Sequence, residues 1–311
     1  MQVPSTADVW TSALNNLNTA QQSQQTANNQ VSTQKIATDL QGFGSTSEVI
    51  ASYQSTLAQT NGYLSVANTV SSRLTDQDSA LTTTSGAASD AQQSIMSALA
   101  SGDGTALMTA LQGDFSEALD GLNYQSDGQY LFGGGNNSTP PVTVTSLSDL
   151  GALPADSANT VFANGSVKKT SQIDANTSVQ TGMLASDLGQ QMMQTFQDIQ
   201  QFNDTNSDGP FGANMTAAQK SYLTTKAQEF SSEYTQLLSA QSVNGTNQTT
   251  VANTTTSLQG QVTQLQTQVG NITDADLATA YSSLQQAQVA VQASAQVLST
   301  LNQYSLLNYL K

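Results

Sequence analysis

Apolar residues recur along much of the chain at alternating steps of three and four. The longest such series starts at Ile50 and runs to Leu99, through seven heptads. A sustained 3.5-residue repeat keeps one stripe of a helix facing a partner helix along a left-handed supercoil. The pattern therefore predicts a long helix that ends at the Gly102-Asp103-Gly104 turn. A shorter helix is predicted after this turn, with one apolar face: Leu107, Leu111, Phe115, Ala118 and Leu122.

Both ends of the chain carry the same repeat. One series runs from Trp10 to Val31 and the other from Leu277 to Leu301. Large and small residues alternate at the start of both series, which lets two helices approach closely. We therefore expect the N-terminal and C-terminal helices to pair with each other. Their large apolar residues are the predicted assembly interface: Trp10, Leu17, Val31, Leu277, Leu284, Val291, Leu298, Leu301, Leu306, Leu307 and Leu310.

The pattern changes between residues 133 and 182. Gly133-Gly134-Gly135 opens a stretch that holds three prolines and alternating valines. Residues 167–173 and 177–184 are predicted to be two strands joined at Asp174-Ala175-Asn176. The segment is therefore predicted to be a small β-rich insertion.

Helical patterns resume near Leu184 and break again between residues 203 and 215. Thr216 and Gln219 then form a capping box, which predicts the start of the next helix. That helix is expected to have a weak point at residues 243–248, after which the apolar repeat continues from Val251 to Ile272.

These elements predict a mainly α fold, which counts as α+β overall because of the insertion. A long antiparallel helical bundle or coiled coil is formed by both chain ends. Three domains are expected. Residues 1–45 with 274–311 are expected to form paired terminal helices. Residues 46–132 with 183–273 are expected to form a helical bundle, and residues 133–182 a β-rich insertion.

Composition narrows the functional classes. Of 311 residues, 141 are Ser, Thr, Asn or Gln, and there is no His and no Cys. Catalysis by a histidine base or a cysteine nucleophile is therefore impossible, as is a disulfide. The net charge is −15, with Arg73 as the one arginine. Such a chain lacks the basic surface that nucleic acids or anionic membranes need, so neither is an expected partner.

The remaining candidates for site chemistry are few. Asp204, Asn206 and Asp208, followed by Gly209, match the first half of a calcium-binding EF-hand loop. Position 12 of that loop would be Met215 instead of the bidentate Glu, so an acidic turn between helices is the preferred interpretation. The paired carboxylates Asp76 with Asp78, and Asp274 with Asp276, fit solvation or helix-dipole contacts better than catalysis. We expect no enzyme activity and no cofactor.

Three C-terminal segments resemble bacterial flagellins in order and spacing: Asp274-Ala-Asp276-Leu-Ala, Val289–Leu298 and Ser305–Leu310. Gly128-Gln-Tyr-Leu-Phe132, followed by Thr139-Pro-Pro141, resembles another branch of the flagellin superfamily, the hook-associated protein 3 group of the hook–filament junction. Gly209-Pro-Phe-Gly212 with its following capping box is similar to the same branch. Where that branch usually has a Pro-Ser-Asp-Asp-Pro-like stretch, this chain has Gly42–Ser47.

The resemblance implies a structural subunit of the bacterial flagellum that links the hook-side ring to the filament. It implies self-association into a ring or tube layer, with the paired terminal helices as the inner tube layer and the insertion at residues 133–182 facing outwards. It also implies contact with a neighbouring hook-associated protein and with flagellin. Handling by an export chaperone is also implied. The location would be extracellular, after export without a cleavable signal peptide. A short filament-forming flagellin is the alternative. A surface polysaccharide receptor or adhesin is a weaker one, because Phe162 is the one aromatic residue between 133 and 182.

Overall fold

The computed structural model describes the backbone of residues 6–309 and the side chains of residues 8–303. These residues confirm the predicted mainly α fold with a small β insertion. The α-helices are α1 (Thr6–Thr33), α2 (Ser47–Ser101), α3 (Leu107–Leu122), α4 (Leu147–Gly151), α5 (Ala185–Thr205), α6 (Ala217–Thr273) and α7 (Leu277–Tyr309). Short 3₁₀ helices cover Leu40–Thr46 and Ala158–Val161, and the strands are β1 (Gln125–Ser126), β2 (Gln129–Tyr130), β3 (Thr170–Gln172) and β4 (Ser178–Gln180).

The chain divides into two compact units. Thr60–Gln259 form the middle unit, and the described residues up to Gln59 and from Gly260 onward form the terminal unit. The main apolar core lies in the middle unit, where α2, α3, α5 and α6 bury their apolar faces. Phe196 is at its centre, with ring centroids 5.4 Å from Phe115 and 4.8 Å from Phe230, both edge-to-face. Aromatic pairs in this geometry contribute more than their buried area alone.

The heptad pattern predicted the buried face of α2 well. Of the fifteen positions from Ile50 to Leu99, only Ser71 and Asp78 are exposed. All five apolar residues predicted for α3 are buried. The helix α2 ends at Ser101, and Gly102 takes the positive φ of 73° that a glycine allows after a helix.

Both hydrogen bonds of the predicted capping box are present at the start of α6. The Gln219 amide N–H donates to Thr216 Oγ1 at 3.1 Å, and the Thr216 amide N–H donates to Gln219 Oε1 at 2.9 Å. Gln219 Nε2 also donates to the Pro210 carbonyl at 3.1 Å, so the same side chain fixes the preceding loop. The break before α6 starts at residue 206, three residues later than predicted.

The predicted weak point at residues 243–248 does not interrupt α6, which is continuous through it. Asn244 is fully buried, and its Nδ2 donates to the Leu74 carbonyl of α2 at 2.8 Å. Gln248 Nε2 donates to the same carbonyl at 3.0 Å. Polar contacts therefore replace apolar packing on this part of the helix, which is why the apolar repeat lapses there without ending the helix.

The predicted hairpin in the insertion is confirmed, with shorter strands. β3 pairs antiparallel with β4, and Ser171 lies opposite Val179. The rest of the segment consists of α4, the second 3₁₀ helix and irregular backbone. Two α2 side chains hold the end of β4, because Arg73 Nε and Gln77 Nε2 both donate to the Thr181 carbonyl, at 3.0 and 2.7 Å.

A second hairpin, β1–β2, was not predicted. Its two-residue turn is Asp127-Gly128, and both residues have positive φ, 52° and 73°. Asp-Gly at the centre of a short connection is a strong signal for such a turn. The flanking strands are only two residues long, so no alternating apolar pattern accompanied that signal.

Candidate assembly interface

The terminal unit is organised by the pairing of α1 with α7, here called the terminal pair. The small residues of both repeats are its most deeply buried members: Ala13, Ala20, Ala27, Ala280 and Ala287. The large residues between them are half-buried. Alanines at alternate contact positions bring the two backbones close together, which leaves the larger side chains to cover the edges of the contact.

The structure places most of the predicted interface residues along this contact. Trp10, Leu17, Val31, Leu284, Val291, Leu298 and Leu301 are all half-buried. Leu277, the first residue of α7, is instead 37% exposed. The side chains of Leu306 and Leu307, and the whole of Leu310, lie outside the described residues. The part that these residues take in assembly stays a prediction.

The outer faces of the terminal pair are polar and, apart from Asp8, uncharged. The sequence of α7 contains no charged residue, and α1 contains only Asp8. A cleft of about 630 Å³ lies along the pair and is lined by Ser, Thr, Asn, Gln and Ala side chains, among them Asn16 and Gln286. Large apolar side chains also stand on the outside of α7: Val289 is 65% exposed and Val297 is 51% exposed. Neutral polar groups can be covered by a neighbour without the desolvation cost of a charge.

Polar contacts join the segment that follows α1 to the segment that precedes α7. Lys35 Nζ forms a short ion pair with Asp274 Oδ1 and donates to Thr273 Oγ1 at 3.2 Å. Two backbone bonds flank it. The Ile36 amide N–H donates to the Thr273 carbonyl at 2.8 Å, and the Ala275 amide N–H donates to the Gln34 carbonyl at 2.9 Å. The hydrogen bond from Lys35 lowers the pKa of Asp274.

The second aspartate of this segment caps α7. Asp276 Oδ1 accepts from the Ala278 amide N–H at 2.9 Å, and Asp276 Oδ2 accepts from Thr279 Oγ1 at 2.9 Å. These hydrogen bonds lower the pKa of Asp276, and the bond from Thr279 has the largest effect. The Asp274-Ala-Asp276 segment thus has two structural roles, a cross-chain ion pair and an N-cap. The sequence suggested the helix-terminus role but not the ion pair, whose partner is 239 residues away.

The calcium candidate is occupied by hydrogen bonds within the protein. Asp204 Oδ2 accepts from Gln200 Nε2 at 2.7 Å, and Asn206 Oδ1 accepts from the Asp208 amide N–H at 2.9 Å. Within residues 8–303, no group of three or more His, Cys, Asp or Glu side chains is placed to hold a metal ion. Asp76, from the other pair of candidate carboxylates, also forms a hydrogen bond within the protein, because Ser126 Oγ donates to Asp76 Oδ2.

Among the described helices, none is both long and apolar enough to cross a lipid bilayer.

Comparison with known proteins agrees with this geometry. Residues 227–310, which include α7 and most of α6, match the bacterial flagellin C-terminal helical region. A protein of Vibrio parahaemolyticus described as a flagellar hook-associated protein has a similar fold, with a TM-score of 0.59 and 12% identity. That similarity covers 73% of this chain and 97% of the other.

FlgL of Bacillus cereus has a similar fold as well, with a TM-score of 0.54, 15% identity, and coverage of 71% and 98%. None of the curated protein sequences compared with the chain matches it. The resemblance to the flagellin superfamily is therefore confirmed. The family model supports this resemblance over residues 227–310, and the two solved structures show that the fold is shared over about seven tenths of this chain.

Proposed function

We propose that this flagellin-like chain is the junction subunit that links the hook-side ring of the bacterial flagellum to its filament. The proposal rests mainly on the terminal pair, which contains almost no charged residues. Its helix α7 lies inside the segment that matches the flagellin C-terminal helical region. A helix pair with neutral outer faces and exposed valines is suited to burial among copies of itself. The hook-associated proteins of similar fold favour the junction over the filament itself.

In this proposal the predicted layers have distinct roles. Residues 1–45 with 274–311 line the inner tube, residues 46–132 with 183–273 form the surrounding bundle, and residues 133–182 face outwards. The partners are further copies of the chain, a neighbouring hook-associated protein and flagellin, with an export chaperone before assembly. The excess of acidic residues keeps the free subunit soluble until it is assembled outside the cell.

Deletion of the gene tests the junction role. Cells of the source bacterium that lack the protein are expected to keep their hooks, lose their filaments and release flagellin into the medium. The reason is that flagellin is still exported but has no layer on which to assemble. The measurement combines electron microscopy of the cells with quantification of flagellin in the supernatant, and expression of the wild-type chain is the control.

The alternative, a short filament-forming flagellin, predicts a different outcome of the same experiment. Cells would then lose filaments without releasing another flagellin, and the purified chain would polymerise into long filaments unaided. An open filament needs head-to-tail interfaces that do not close, whereas a junction layer binds different neighbours above and below. Intact filaments on the deletion strain would contradict both.

A further inference from the structure

A carboxyl group lies inside the core of the middle unit without a counter-charge. Glu233 is on α6, between Phe230 and Leu237, which are both fully buried, and it is itself 2% exposed. Its Oε1 atom has no hydrogen-bond partner among the described residues. A buried carboxylate without a partner carries a large desolvation cost, whereas the neutral acid is tolerated.

The nearest cation on the same helix is already engaged. Lys226 Nζ donates to Asp198 Oδ2 at 2.6 Å and to Glu229 Oε2 at 2.9 Å. Glu229 Oε2 also accepts from Thr195 Oγ1 at 3.1 Å. One lysine therefore serves two carboxylates, and Glu233, a turn further along α6 from Glu229, receives no share of it.

Charged groups on the neighbouring helices do not compensate. On α5, Asp187 pairs with Lys168 at the protein surface, with an N–O distance of 2.7 Å. Burial is the sole cause that raises the pKa of Glu233, to about 7. None of the charged side chains that the structure describes on the helices of the middle unit forms an ion pair with Glu233, including Asp78 and Asp90 on α2, Asp114 and Glu117 on α3, Asp187 and Asp198 on α5, and Lys226 and Glu229 on α6.

We propose that Glu233 is a proton-controlled latch for the middle unit. With the carboxyl protonated, α6 packs into the core between Phe230 and Leu237. When the carboxyl loses its proton, the charge has no ion-pair partner among the residues that the structure describes, and this part of α6 loosens from the core. The latch therefore opens towards alkaline pH.

The direction of the pH effect follows from the shift. A carboxyl whose pKa is higher in the folded than in the unfolded chain gives full stability below its ordinary value of about 4.5, and that stability falls as pH rises from there to about 7. Over that interval the folding equilibrium constant is expected to fall on the order of a hundredfold through this group alone. Asp114 adds a smaller fall of the same sign below about pH 6, because burial raises its pKa to about 6.

The test uses the full-length chain and its Glu233→Gln variant, with Asp78→Asn as a matched control on the exposed face of α2. Thermal unfolding between pH 5 and 9 is expected to show, for the wild type and for the control, a melting temperature that falls up to about pH 7 and then levels off. Between pH 5 and 7 the melting temperature of the Glu233→Gln variant should fall much less, since the amide cannot ionise and only the contribution of Asp114 remains. Equal slopes for wild type and Glu233→Gln in that interval would overturn the proposal.

A direct titration keeps the proposal testable if the variant folds poorly. The chain has four glutamates, so ¹³C labelling of their carboxyl carbons gives four resonances, and Glu48→Gln, Glu117→Gln and Glu229→Gln assign three of them by elimination. The fourth, Glu233, is expected to titrate near pH 7 in the wild type. A midpoint below about 5.5 would refute the latch, because the carboxylate would then be stable inside the fold.

Discussion

Leu284→Asp is expected to abolish assembly while the middle unit stays folded. Leu284 is half-buried in the terminal pair, where it borders a small cleft lined by α1 amides, among them Gln21, Gln24 and Asn28. Asp at this position removes apolar contact and places a charge among groups that offer no cation. Together these cost about 2 kcal/mol or more per subunit, which is about a 30-fold weaker addition of each copy.

Two measurements separate assembly from folding. Sedimentation of the purified chain at high concentration is expected to give a ring or short tube layer of limited size for the wild type, and monomer for Leu284→Asp. Circular dichroism should show that the cooperative unfolding of the middle unit is retained, because residue 284 lies outside Thr60–Gln259. Gln285→Asp adds the same charge at the next, exposed position and should preserve the α1–α7 pairing. Loss of the middle unit's unfolding transition in Leu284→Asp would contradict the division into two units.

Gly121→Ala and Gly113→Ala, the same substitution on the same helix, are expected to act in opposite directions. A Cβ at Gly121 would lie 2.2 Å from Thr84 Oγ1 and 2.9 Å from the Thr84 backbone nitrogen, where α3 crosses α2. The backbone of α2 cannot retreat, so overpacking of about 1–3 kcal/mol is expected. At Gly113 a Cβ would meet nothing within 4 Å, and the gain is about 1 kcal/mol of helix propensity.

Calorimetric unfolding of the full chain measures both glycine variants. For a unit of this size, each kcal/mol shifts the midpoint by about 2–4 °C. Gly121→Ala should therefore lower the transition of the middle unit by several degrees, and Gly113→Ala should raise it slightly. A fall of equal size in both variants would mean that the α2–α3 crossing is not as close as the structure gives it.

Periodicity predicted the helices wherever apolar contact makes the packing. The repeats of α1, α2, α3 and α7 identified their buried faces because most of the contact positions carry an apolar residue. The capping box located the start of α6 because both of its hydrogen bonds are local in sequence. These features depend on residues within a few turns of each other, and a single sequence displays them directly.

Contacts between distant segments could not be predicted in the same way. The bonds from Asn244 and Gln248 to the Leu74 carbonyl join positions about 170 residues apart, and an amide in a polar stretch gives no sign of its partner. The Lys35–Asp274 ion pair is a further case, since either residue alone looks like an ordinary surface charge. Glu233 differs from an exposed glutamate only in its surroundings, which the fold determines.

The central claim is that this chain forms a layer between hook and filament, and its position on the flagellum tests that claim most directly. Immunogold electron microscopy of intact flagella, with antibody raised against the purified chain, measures this position. The account predicts label confined to a short band where the hook meets the filament. Label along the whole filament would identify a filament subunit instead, and label on the cell body with none on the flagellum would contradict an axial role altogether.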